Sequence, residues 1–224
     1  MVLEEEQILS QIEDLEIKKQ KSIIEIDQKI DELKTKLAIA KTNANKGRRR
    51  LITAQGDELV DEVAKALEDI GFSVTVVDEL IGDHKPRRED LRLCHSDKMG
   101  EEWNAIVEVR GYARSAGNTG DLLRLARFAK LYQQETRRAP DKCIYIVNGQ
   151  LELPQPSQRQ APLASAPEDL QEFSENDGIL IWSVDLFRAL KSTNSVDYPV
   201  LLESIKNAQG RWIPVIIPSP PKTN

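Results

Sequence analysis

Between Leu3 and Ala44 the chain has neither glycine nor proline, and Glu, Lys, Gln, Ile and Leu dominate, most of them good helix formers. One long helix is the consequence. Along it Ile23, Ile26, Ile30, Leu33, Leu37, Ala40 and Ala44 recur alternately three and four residues apart, the seam spacing of a coiled coil. Ile8, Ile12 and Leu15 share the spacing but reach Ile26 through a step of seven plus four residues, a stutter that locally unwinds a supercoil. A lone helix of this length cannot bury the stripe in itself. Residues 1–45 are therefore expected to form a homodimer or to dock on a partner protein, with packing on the chain's own globular part as the alternative. Charges beside the seam are mixed and leave homodimer and heteromer open. Asn43, Asn45 and Gly47 end the pattern, so residues 46–53 are expected as a linker whose RRR run is a solvated face rather than a phosphate clamp.

The 224 residues leave room for one further domain of ordinary size, 54–195, and a C-terminal extension, 196–224. No run of 18 apolar residues occurs, and the start, MVLEEEQILS, is acidic; no membrane span or secretory signal is expected, and the compartment expected is the cytoplasm. Cys94 and Cys143 lie far apart without CxxC spacing, which argues against a disulfide scaffold or a structural zinc site. A formal charge of -6 excludes coating of nucleic acid by bulk electrostatics but leaves room for a local basic face. Basic residues do cluster, at 46–50, at 85–88, and at Arg110 and Arg114, Arg124 and Arg127, Arg137 and Arg138.

Beyond the linker, apolar spacing predicts a helix from Ile52 to Ile70, then strands at 72–77, 89–93 and 103–112. The loop 111–120 leads into a helix that carries Leu122, Leu125 and Phe128 on one face. KCIYIVN (142–148) reads as a strand covered on both sides. A proline-rich loop, a helix near 167–176, a strand ILIWSV, a helix DLFRALK and a tail with a helix and WIPVII complete the order. Such an order makes an α/β fold, a sheet with helices packed on its faces.

No GxxxxGK[ST], GxGxxG after a strand, GxSxG or HExxH is present, which argues against nucleotide-loop, Ser/His and zincin chemistry. Gly111, Gly117 and Gly120 are expected to make a plain strand-to-helix connection rather than a phosphate cradle. The stronger signal is a pair of carboxylates on neighbouring strands. Asp90 opens the second strand, and Glu108 lies inside the apolar run AIVEV with Arg110 on the same strand face. An acid there is costly to bury unless it is paired or bound to a cation. Two carboxylates and a backbone carbonyl at one spot make a hard oxygen site suited to magnesium, which activates water and steadies charge on a phosphodiester. The plainer alternative is an ion pair of Glu108 with a neighbouring arginine.

The run GDELVDEVAKALEDIGFSV, EDLRL, WNAIVEVRGY, a helix and KCIYIVN resembles the PD-(D/E)XK, or restriction-endonuclease-like, nuclease superfamily across roughly residues 54–190. The resemblance implies an αβββαβ core with a mixed sheet flanked by helices. It also implies a magnesium-dependent DNA endonuclease or nuclease subunit (manganese substituting), in a bacterial restriction or anti-phage system. Carried over, Glu58 is the assisting acid, Asp90 the central metal ligand, Glu108 the second carboxylate and Val109 the carbonyl donor. The chain departs from the pattern in three places: Arg110 stands in place of the family lysine, Glu89 in place of the proline before Asp90, and the helix after Gly120 shows Leu123 and Arg124 where several branches carry glutamine. Arginine keeps its proton at any working pH, so it cannot act as a general base but can stabilise phosphate charge. Arg87, Arg88, Arg114, Arg124 and Arg127 are the expected DNA contacts. The alternative function is a catalytically inactive nuclease-fold protein serving as a DNA-binding or assembly subunit through its coiled coil. An unrelated α/β protein is the third, and it requires that Asp90 and Glu108 do not converge.

Overall fold

The structure, a computed structural model, describes residues 2–44, 47–77, 88–97, 99–192 and 197–214. It contains two compact units, Met1–Lys46 and Gly47–Asn224. The first is a single helix, α1 (Val2–Ala44). Its length follows from the absence of breakers, and between Glu5 and Ile39 every side chain is exposed, the apolar seam included.

The second unit, the head, begins without the expected linker. A 3-10 turn at Gly47–Arg49 runs into α2 (Arg50–Thr53), whose Leu51 is fully buried, and Arg48 donates to Asp69 at 2.9 Å and to the Tyr198 hydroxyl at 3.0 Å. Composition marked residues 46–53 as loose, but one apolar side chain and one well-placed arginine tie 47–53 to the head. The helix expected from Ile52 is also interrupted. Gly56, at φ +59, turns the chain out of helical geometry before α3 (Asp57–Ile70) starts.

The remaining elements are β1 (Ser73–Val76), β2 (Leu91–Ser96), β3 (Glu102–Gly111), α4 (Thr119–Thr136), β4 (Lys142–Asn148), α5 (Pro167–Glu175), β5 (Gly178–Trp182), α6 (Ser183–Ser192), α7 (Tyr198–Lys206) and β6 (Gly210–Arg211). The expected αβββαβ order is thus present, in a mixed sheet flanked by helices. Its strands lie in the order β1-β2-β3-β4-β5-β6, antiparallel among the first three and parallel from β3 onward. Strand alternation divides the core in two. Val107, Val109, Ile144 and Ile146 pack with Leu59, Val63 and Leu67 of α3 and Leu186 and Leu190 of α6. Ile106, Tyr145 and Val147 point the other way, to Leu122, Leu125 and Phe128 of α4 and Phe173 of α5.

The C-terminal stretch expected as an extension belongs to the head through residue 212. Leu201, Leu202 and Ile205 of α7 and Trp212 are all buried in the first core, and β6 pairs with β5. WIPVII lies outside the described residues from position 215 on. The three tryptophans are packing residues: Trp103 lies 5.4 Å from Phe72, Trp182 is buried under Arg188 and Arg211, and Trp212 is core.

Candidate active site

β3 is the pivot of the sheet, antiparallel to β2 on one side and parallel to β4 on the other. At its C-terminal half the even-numbered residues turn toward α4, which places Glu108, Arg110 and Tyr112 on one face. Glu108 sits opposite Tyr145 of β4 and has no exposed surface. Asp90, just ahead of β2, is stitched to the same strand. Its N–H donates to the Val107 carbonyl at 3.0 Å, and its Oδ2 accepts from the Val109 N–H at 2.7 Å.

The Arg110 guanidinium gathers these groups. One terminal nitrogen donates to Asp90 Oδ2 at 3.4 Å and to the Val109 carbonyl at 3.1 Å, and the other donates to Glu108 Oε1. The three oxygen donors named from sequence therefore surround a single cationic group. Arg124 of α4 adds a second cation, 3.4 Å from Glu108 Oε1 and 3.1 Å from Asp121 Oδ1. Asp121 is buried and accepts from two phenols, Tyr145 at 2.9 Å and Tyr112, whose hydroxyls are themselves 3.1 Å apart.

Burial pushes the Glu108 carboxyl up to about 7, and the charge of Asp90 adds to the rise against the pull of Arg110 and Arg124. The Tyr112 phenol is pushed up to about 12, first by burial and then by its bond to Asp121, and Tyr145 rises for the same first reason. For Arg110 burial works against the charge, but Asp90 and Glu108 outweigh it and the guanidinium holds its proton more tightly than usual.

These residues fit a hard divalent cation. Glu108 Oε2 is buried with no hydrogen-bond partner, an acceptor whose full desolvation cost stands uncompensated. Asp90 and the Val109 carbonyl supply the other oxygen donors, of the kind magnesium takes. Among the described residues no group of three His, Cys, Asp or Glu side chains is placed to hold an ion, so a backbone carbonyl has to complete any such set.

The structure brings Asp90, Glu108, Val109 and Arg110 together, and Arg124, expected as a DNA contact, joins them through Glu108 and Asp121. Glu58 is not: its side chain is 64% exposed, and its ion pair, at 3.9 Å, is with Arg50. Glu62, one turn later on α3, is the buried acid of that helix. Arg88 is committed elsewhere. With Arg92 it holds the fully buried Glu89 at 3.2 and 2.7 Å, and both arginines also bind Glu135, whose carboxyl is drawn down to about 2 by Arg92 first and Arg88 second. Glu89, standing where the family pattern has proline, therefore fastens the segment that presents Asp90. Arg114 is exposed and paired with Glu152 at 3.0 Å, Arg127 is exposed on α4, and Arg87 lies outside the described residues. The sequence reading missed Asp121, Tyr112 and Tyr145. Tyr112 shares strand parity with Glu108 and Arg110, which was a usable signal; the pairing of Asp121 with Tyr145 depends on how α4 crosses β4, which no local pattern carries.

Gly111 has a packing role rather than a phosphate-binding one. A Cβ there would lie 2.5 Å from the Gln55 Cβ, so its lack of a side chain lets the loop before α3 close over the end of β3. Asn118 caps α4, its side chain accepting from the Gly120 N–H at 2.9 Å.

Comparison with family models and with curated proteins finds no match. Among solved structures, the restriction endonuclease FokI is similar over 74% of this chain, at 12% sequence identity and a TM-score of 0.47. The chain spans 31% of that enzyme's length. A likeness of that degree says nothing about activity, which has to come from the side chains themselves.

Proposed function

We propose that the head is a magnesium-dependent DNA-hydrolysing domain, with Asp90, Glu108 and the Val109 carbonyl as the cation's ligands. The observation that carries this reading is Glu108, an acid with no exposed surface and a partnerless Oε2, set against Asp90 and the Val109 carbonyl around one guanidinium. Magnesium held by Asp90, Glu108 and the Val109 carbonyl would supply an activated water and offset charge building on the phosphodiester, and manganese would accept the same donors. The chain's own residues do the rest. The Val109 N–H fixes Asp90, and Asp121 with its two phenols holds Arg124 against Glu108. Arg110, unable to serve as a base, holds the oxygen donors together and is placed to meet a phosphate oxygen when it lets go of them. Exposed Arg127 and Arg114 supply backbone contacts of the positioning kind. Restriction or anti-phage defence is the setting we propose, on the resemblance of the motif order alone.

One observation favours a second reading. Arg110 bonds one oxygen of each of the three ligand groups at once, so the guanidinium itself can serve as the permanent cation of the site. In that reading the head binds DNA without cutting it. The test is incubation of the full chain with supercoiled, linear and single-stranded DNA in magnesium, manganese or EDTA, beside Glu108→Ala and Arg110→Lys. Metal-dependent cleavage by the unaltered chain that Glu108→Ala loses supports hydrolysis. Cleavage by Arg110→Lys alone supports the second reading, and a salt-sensitive gel shift with no cleavage by any form sinks the first.

A further inference from the structure

The seam of α1 is a palindrome. Ile8, Ile12 and Leu15 are spaced four then three residues apart, and Ile30, Leu33 and Leu37 three then four. When two copies run in opposite directions, Ile8 meets Leu37, Ile12 meets Leu33 and Leu15 meets Ile30, because the two numbers of every pair add to the same value, 45. Each such layer joins an a position to a d position, as antiparallel coiled coils require. The stutter then falls at the centre of the pair, where it is its own mirror image.

Charge selects between the two orientations. Residues 4–17 hold six acids and no base, whereas the segment they meet in the antiparallel pair, residues 28–41, holds four lysines and two acids. A parallel pair lays the six acids against six acids, within a Debye length, and sets Lys19 against its own copy at the seam. The antiparallel pair lays a segment of charge -6 on one of +2 and places Lys19 against Ile26, over which its stem can reach out to water. Individual flanking pairs are mixed in either case, Lys29 near Lys34 in the parallel form and Lys18 near Lys29 in the antiparallel one, so the ends decide. The six seam side chains of each copy are 42–64% exposed on the isolated helix.

We infer that α1 pairs with α1 of a second copy of this chain, antiparallel, with residues 12 and 33 in contact. The C-terminal ends of the two helices, each leading on into its own head, then lie at opposite ends of a helix pair about 64 Å long, at 1.5 Å per residue. The inference does not depend on whether the head cleaves DNA.

The test uses the full chain with Cys94→Ser and Cys143→Ala as background, carrying Ile12→Cys and Leu33→Cys together. After oxidation, peptide mapping should show a disulfide between residue 12 of one copy and residue 33 of the other, and the unaltered chain should sediment as a dimer at micromolar concentration. Links of 12 to 12 and 33 to 33 would mean a parallel pair and overturn the inference. So would a monomer of the unaltered chain in sedimentation, which needs no substitution.

Discussion

In the head an acid, Glu108, is sealed from water between strands, whereas along α1 eight isoleucines and leucines at seam positions stand 41–64% exposed. The two units depart from the usual partition of polar and apolar groups in opposite directions. Each departure is costly in the isolated chain, and each cost falls when something binds: a cation at Glu108, an apolar helix face at the seam. The difference lies in how far the chain provides for itself. The head already supplies Arg110 and Arg124 as internal cations, which offset part of the cost of burying Glu108 while its Oε2 stays without a partner. The helix has no such substitute among its own residues. A buried charge thus needs only one or two well-placed side chains, while an exposed stripe needs a surface of its own length.

The widest separation of the two units comes from substituting the site. Asp90→Asn or Glu108→Ala should lower metal-dependent cleavage by about 10³-fold, roughly 4 kcal/mol of barrier, while sedimentation of the dimer stays the same. Loss of association in those variants would mean that site and seam are not independent. The converse change, Ile30→Asp with Leu33→Asp, buries unpaired charge at the seam and should weaken self-association by ~10²-fold or more. Calorimetry should then show the melting temperature of the head unchanged; a large fall would show that the helix is needed for the head to fold.

Stability against pH sharpens the contrast inside the head. The Glu108 carboxyl is raised in the fold from an ordinary 4.5 to about 7, so the folded state holds the extra proton between those values. Stability in EDTA should therefore fall as pH rises from 4.5 to 7, by on the order of 3 kcal/mol, and Glu108→Gln should flatten that slope. Denaturant melts across the range would show it. Glu135 has the opposite sign: drawn down to about 2, it adds stability above pH 4.5 that disappears as pH falls through 2. Its side chain is half exposed, so Glu135→Gln should cost only about 1 kcal/mol or less at neutral pH, and an equal loss at pH 2 and pH 7 would refute the ion-network account.

Periodicity made most elements of the fold legible. Breaker-free composition marked α1, β-branched residues marked β1, an apolar run marked β4, and strand parity put Glu108 and Arg110 on one face. What stayed hidden depends on contacts distant in sequence. Leu51 and Arg48 turn an apparent linker into packed structure by reaching α6 and α7, and Trp212 carries the apparent C-terminal extension into the core. At the site, local pattern placed the carboxylates of Asp90 and Glu108. The resemblance, rather than local pattern, put the assisting acid at Glu58, whose side chain is 64% exposed, while Glu62 one turn later is the buried acid of α3. Local pattern missed Asp121 because its partners, Tyr112 just past the end of β3 and Tyr145 of β4, are brought to it only by the packing of α4 on the sheet.

On the proposed reading the oxygens around Arg110 form a cation site rather than a closed ion pair. Electron paramagnetic resonance of manganese titrated into the full chain reads this directly, since free and bound ion give different signals. One bound manganese per chain is expected, lost in Glu108→Gln and in Asp90→Asn. Manganese that stays free in the unaltered chain, or binding that both substitutions leave intact, would contradict it.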